Sequence, residues 1–374
     1  MSSPERISVT PPAPGNWRPH EATTLYSTIF VAHALLRAAS RLVSMPAGFF
    51  AGARPRHQCR GGKRECLRHR IGCGPSALCG GRGAPMKLRA THVTRYLYAE
   101  DVSTCHTEVR LSPRIRAGQV PLSHHLDITP KPDFSASRGD YFGNEVVSFS
   151  IDQPHRELVI VSECAAEVDS APPPNLDLSP PWEQVRLETG QRASPEAFEA
   201  SQFTFESPLI RKGAGFAEYA SACFEPGRRF LDGVHSLSER IFREFQYDPR
   251  ATTVATPVEE ALAARRGVCQ DFAHVMIACL RSLDLPARYV SGYVRAQSGG
   301  QEATGAEASH AWVSVWGPVF GWQDFDPTNN VMPHGGHITL AWGRDYSDVA
   351  PVKGVALGGG EQIIRVSVNV LPED

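Results

Sequence analysis

The chain has 374 residues, 41% apolar and 21% charged, a composition that suits a folded chain and excludes a disordered one. Its formal net charge of −2 hides an asymmetry: in residues 1–85 eleven Arg and Lys63 face Glu5, Glu21 and Glu65, a surplus of nine positive charges, so the other 289 residues carry −11. An acidic body argues against nucleic acid as the main partner, because phosphate binding needs clustered Lys and Arg. No apolar run reaches the ~20 residues that span a bilayer, and the nearest, 25–36, contains His33.

Residues 1–85 read separately from the rest. Cys59, Cys66, Cys73 and Cys79 lie among Arg, Gly and interleaved His, which invites a zinc reading. Structural zinc sites bring their ligands in pairs about two to four residues apart, whereas the gaps here are six, six and five. An Arg-rich, acid-poor segment also fits an organelle transit peptide, while the order of a secretory signal is missing. The simplest expectation is a disordered extension without a functional role. The other five cysteines are scattered through a large body and do not read as a disulfide framework, so a reducing cytoplasm is the expected home.

From Met86 to about 170 the pattern has a period of two. Runs such as "KLRATHVTRYLY", "GNEVVSFSI" and "ELVIVSECAAEV" are separated by Pro or Gly, which predicts a β-rich, antiparallel domain, sandwich-like or a barrel. Residues 171–181, "APPPNLDLSPP", carry five prolines and read as a linker.

Helical periods follow. Phe216, Tyr219, Ala220 and Cys223 share one face, and Val234, Leu237, Ile241 and Phe245 form another stripe. Thr256, Pro257 and Glu259 have the spacing of a capping box. In "GVCQDFAHVMIACLRSLDLPARYVSGYV", 267–294, a helix with Phe272, Val275, Met276, Cys279 and Leu280 on its apolar stripe ends before Pro286 and leads into a strand. Cys279 lies deep in that stripe and reads as core, and His274 falls on the polar face. Cys269 stands at the stripe's edge in the first turn, where the positive end of a helix favours a thiolate.

A nucleophilic cysteine needs a histidine to take its proton and a third group to orient the imidazole. His310 opens the strand-like "HAWVSVW", 41 residues after Cys269, and "GWQDFDPT" follows as a second short strand carrying Asp324 and Asp326. The two aspartates share strand parity, so parity alone does not choose between them. Each residue also has a plainer reading: a histidine in a strand is ordinarily a satisfied polar group, and Asp-Pro is ordinarily a turn. Trp312, Trp316 and Trp322 serve equally as core aromatics or cleft walls, with core expected for at least two. His334 and His337, in the glycine-rich "PHGGHI", make a weak metal site without a clustered carboxylate or thiol. No cofactor and no metal are expected.

G-x-C opening a helix, H-A-W on a strand and G-W-x-x-x-D-P-T, in that order over about residues 230–330, resemble the core of the transglutaminase-like superfamily. The resemblance implies an α+β fold: a papain-like core of helices packed on an antiparallel sheet, at 182–345, preceded by the β-rich domain at 86–170. Residues 346–374 look like the C-terminal strands of bacterial members. It also implies Cys269 as nucleophile, His310 as base and Asp326 as orienting carboxylate. The Cys269 N–H is one expected oxyanion donor, and Tyr247 is a candidate for the second, with core packing as its plainer role. The implied activity is a thiol enzyme acting on amide bonds of a peptide or protein substrate, with hydrolysis favoured over amine transfer. A scaffold that has lost catalysis is the reading from another class. Oligomeric state and physiological substrate are not legible.

Overall fold

The computed structural model describes residues 85–295 and 309–373; the expectations for the N-terminal extension, zinc and transit peptide included, lie outside the described residues. The period-two stretch forms β1 (Met86–Val109), β2 (Gln119–Thr129), β3 (Phe134–Gly139), β4 (Glu145–Ile151) and β5 (His155–Val168). In the first half of β1, Leu88, Ala90, His92 and Thr94 are buried, while Lys87, Arg89 and Arg95 between them are exposed, the alternation that one covered face requires. β1 is the spine of a seven-stranded sheet in the order β2-β5-β1-β4-β3.

The helical region comprises α1 (Trp182–Gln191), α2 (Pro195–Ser201), α3 (Ala214–Ser221), α4 (Phe230–Glu244), β6 (Gln246–Tyr247), α5 (Val258–Ala264), β7 (Arg266–Gly267) and α6 (Cys269–Ser282). Then come β8 (Ala287–Val294), β9 (Ser309–Gly317), β10 (Gly321–Phe325), β11 (His337–Gly343), α7 (Tyr346–Val349), β12 (Val352–Gly358) and β13 (Gln362–Glu373). β8 to β11 make a four-stranded antiparallel sheet in the order β10-β9-β8-β11. β12 and β13 return to β1, so the last strands of the chain complete the sheet that its first strands begin.

The small sheet lies between two apolar layers. Ala311, Val313 and Val315 of β9 pack with Val275, Met276 and Cys279 of α6. Tyr293, Ile338 and Leu340 pack instead with Leu88, Val102, Ile151 and Ile160 of the large sheet. The architecture is therefore α+β, with helices on one face of an antiparallel sheet and a second sheet on the other. The stretch expected to be a sandwich or barrel forms one sheet, and the layer packed on it comes from the core.

Two buried amides fasten the layers. Gln119 gives its Nε2–H to the Thr339 carbonyl and its Oε1 accepts the Thr339 N–H, both at 2.8 Å. Asn144 does the same for Trp342, donating at 2.9 Å and accepting at 3.0 Å. Each amide stands in for a neighbouring strand along β11, the edge of the small sheet, whose backbone groups need partners once buried. Arg116 adds ion pairing to Asp324 and a 2.9 Å hydrogen bond to Thr339.

The expected stripes of α3 and α4 are buried. The expected capping box at Thr256 is absent. The helix begins at Val258, and the Thr256 hydroxyl accepts the Thr253 N–H at 2.8 Å, a local bond that competes with capping. α6 is covered nearly all round, so His274 is not on a polar face. It is buried, and its Nε2 accepts the Tyr346 N–H at 3.2 Å. Burial lowers the His274 pKa to about 4 against the pull of Asp345, which keeps the ring neutral. Among the described residues no helix is long and apolar enough to cross a membrane.

Candidate active site

The start of α6 is built by its own first turn. Val268 is extended, and Asp271, 3% exposed, turns its Oδ2 back to accept the Val268 N–H at 2.8 Å and the Thr252 hydroxyl at 2.6 Å. A Cβ on Gly267 would stand 2.4 Å from that oxygen, so only glycine leaves room for the cap. Cys269 follows as the first helical residue, half-buried against the helical core. The first N–H groups of a helix have no partner within it, and they surround the thiol with positive dipole.

His310 is the second residue of β9, opposite Gly292 of β8 in the middle of the small sheet, and is buried. Cys269 lies near enough to act on the charge of its ring. Asp326 comes one residue after β10, where its backbone pairs with Val331 across the turn that Pro327 opens. Its Oδ1 accepts the N–H groups of Thr328 and Asn329 at 3.0 and 3.2 Å, the local turn bonding typical of aspartate. Its Oδ2 faces His310 Nε2 at 2.8 Å and Asn329 Nδ2 at 2.7 Å. With Nε2 engaged by the carboxylate, Nδ1 is the nitrogen left to the sulfur.

Burial alone would lower the His310 pKa, but the Asp326 charge and hydrogen bond, with the Cys269 sulfur, raise it to about 10. Burial would likewise raise Asp326, yet the His310 charge and the bonds from His310 and His337 hold it well below the ordinary carboxylate range. The site is a buried carboxylate, an imidazole that holds its proton, and a sulfur at a helix start.

Asp324 is elsewhere. It pairs across β10 with Ser314 and is held by Arg116 from the loop after β1, so it serves the contact between the two sheets. The shared parity does not unite the two aspartates, because the strand ends at Phe325 and Asp326 belongs to the turn. Tyr247 lies opposite Gly267 in the short β6–β7 pairing, 39% exposed, with its ring edge-on to Phe272 at 6.3 Å. That sets it beside Gly267, two residues before Cys269, with its side chain exposed rather than in the core. Trp312 and Trp316 are buried, as expected for two of the three; half-buried Trp322 lies against Arg288, 3.9 Å from ring centre to guanidinium.

Sequence reasoning missed two neighbours. Asn329 reaches Asp326 only because the turn folds back. His337, taken above as one half of a weak loop pair, starts β11 and meets Asp326 Oδ2 through Nε2 at 3.1 Å. His334, the other half, faces the Met332 carbonyl at 2.9 Å. No periodicity marks either neighbour; the run of turn formers after Asp326 was the available signal. Among the described residues His310, Asp326 and His337 are the one trio whose ligand-type atoms lie within 4.8 Å of one another. Hydrogen bonds through a single carboxylate oxygen account for that approach, so the trio reads as a proton-sharing cluster and not as a metal centre.

Comparison with known proteins follows the same division of the chain. The family described as bacterial transglutaminase-like N-terminal region matches residues 88–167, and the transglutaminase-like superfamily matches 218–327. An uncharacterized protein of Mycobacterium tuberculosis H37Rv is 37% identical over 297 residues, covering 76% of this chain and 93% of its own. One from Mycobacterium leprae is 30% identical over 289 residues, covering 76% and 98%. The crystal structure of a candidate cysteine protease from Cytophaga hutchinsonii is similar in fold, with a TM-score of 0.61 and 20% identity over 79% of this chain and 93% of that one.

Proposed function

We propose that this chain, which belongs to the transglutaminase-like superfamily, is a thiol enzyme that acts on amide bonds of peptides or proteins through Cys269, His310 and Asp326. The observation that supports this most is His310 itself: one buried imidazole shared between a half-buried sulfur at a helix start and a carboxylate without solvent contact.

The proton of Cys269 rests on His310 Nδ1, and the thiolate sulfur attacks the amide carbonyl carbon. The oxyanion is met by the Cys269 N–H at the helix start, with the Tyr247 hydroxyl as proposed second donor; each such donor is worth on the order of 10²–10³ in rate. The C–N bond then breaks as the His310 imidazolium protonates the leaving amine, which leaves a thioester on Cys269. In the second half His310 takes a proton from water, hydroxide adds to the thioester, and the acid departs as the sulfur is released. Asp326 keeps the ring in one orientation throughout and stays ionised.

Hydrolysis is the proposed outcome, and an amine in place of water would make the same thioester a cross-link. A glutamine-containing peptide, assayed with and without a labelled primary amine, separates them. Release of ammonia or a cleaved peptide without label, abolished in Cys269→Ala, is the expected result. Incorporated label would convert the reading to transfer, turnover unchanged in Cys269→Ala would remove Cys269 as the nucleophile, and none in either protein across a peptide panel would leave a scaffold.

A further inference from the structure

We propose that His337 is a positioning residue of this site, whose Nε2–H takes up part of the charge on Asp326 Oδ2 and so sets how strongly that carboxylate holds the proton of His310. This rests on the triad reading above. Two imidazoles and one amide converge on a single oxygen: His310 at 2.8 Å, Asn329 at 2.7 Å and His337 at 3.1 Å. Because the carboxylate is ionised and only accepts, the proton of a neutral His337 ring must sit on Nε2. Nδ1 is then a lone pair, buried and without a protein partner among the described residues.

The ring also borders a cavity of about 260 Å³ lined by Arg116, Gln119, Asp324, Thr339 and Pro172. Edge-on packing against Trp312, with ring centres 5.2 Å apart, fixes its tilt. Its strand is held from the large sheet, since Thr339, two residues on, is the residue clasped by Gln119. The N-terminal sheet thereby reaches the triad through one imidazole. The titratable groups facing Asp326 are His310 from β9 and His337 from β11, with Cys269 of α6 beyond His310.

The direction of the effect separates positioning from packing. Removing a donor concentrates charge on Oδ2, which tightens the hold on the His310 proton and raises the pH at which it is lost. A merely structural loss would let Asp326 drift from His310 and lower that pH. Ring ¹⁵N and ¹³C labelling of histidine allows the test by NMR without a known substrate, His310 being assigned by its absence in His310→Ala.

In His337→Phe the His310 titration should move upward from about 10, and in His337→Gln, whose amide N–H stands where Nε2–H stood, it should return to the parent position. No shift in His337→Phe, or a fall in both variants, would overturn the proposal. Should His337→Phe not fold, the parent decides: ¹⁵N shifts placing the His337 proton on Nε2 at pH 8 support the proposal, and a proton on Nδ1 overturns it. A parent His310 whose titration ignores Asp326→Asn would instead remove the triad reading beneath it.

Discussion

Asp326 has no solvent exposure and still carries charge, a combination that needs full hydrogen bonding. Two backbone N–H groups, one amide and two imidazoles supply it. His310 gains most from this charge, so Asp326→Asn, which keeps an acceptor but removes the charge, should bring the alkaline limb of activity down from about 10 toward the ordinary imidazole value of 6.5. Stability moves with it. A histidine whose folded pKa is raised contributes stability fully below 6.5 and loses it as pH rises through about 10. Urea unfolding should therefore show the native protein weakening over that window, and Asp326→Asn much less so. The three motif residues were legible because nucleophile, base and carboxylate each carry a recognisable local pattern. Asn329 and His337 were not, because their place at Asp326 depends on how a turn and a strand start fold back.

At the scale of the element, α6 depends on a cap that sits beside the nucleophile. Gly267→Ala would push a methyl into the Asp271 carboxylate, open the Val268 and Thr252 bonds and move the first turn. Loss of a cap costs about 1–2 kcal/mol, and denaturation in urea should register that much. Reactivity of Cys269 should fall further than stability does, since the sulfur leaves its place while the helix survives. Helix stripes were read correctly for α3 and α4 because their burial follows the 3.6-residue period, and the α6 stripe is buried along with the rest of that helix. Thr256 and His274 were not, for two different reasons. A threonine hydroxyl chooses among nearby N–H groups by local geometry. A helix covered on all sides has no polar face on which to put a histidine.

In the whole molecule the unexpected feature is closure. The strands at the two ends of the described chain share one sheet, and that sheet grips β11 through Gln119 and Asn144. Sequence alternation announced strands and their exposed faces but not their partners, since pairing between residues such as Thr91 and Asn369 leaves no local trace. Nor does an isolated asparagine announce that it will stand in for a strand. Asn144→Ala should orphan the N–H and C=O of Trp342 at about 1–3 kcal/mol for each buried group left unpaired. The expected readout is a lower urea midpoint at an unchanged slope.

The pairing of Cys269 with His310 carries the whole account, and the rate at which iodoacetamide modifies Cys269 tests it most directly. Mapped by mass spectrometry at pH 7, Cys269 of the parent should be alkylated at least about tenfold faster than Cys269 of His310→Ala, since a positioned imidazole that takes the thiol proton is worth that much or more. Equal rates in the two proteins, or a parent rate no higher than that of the urea-unfolded chain, would contradict it.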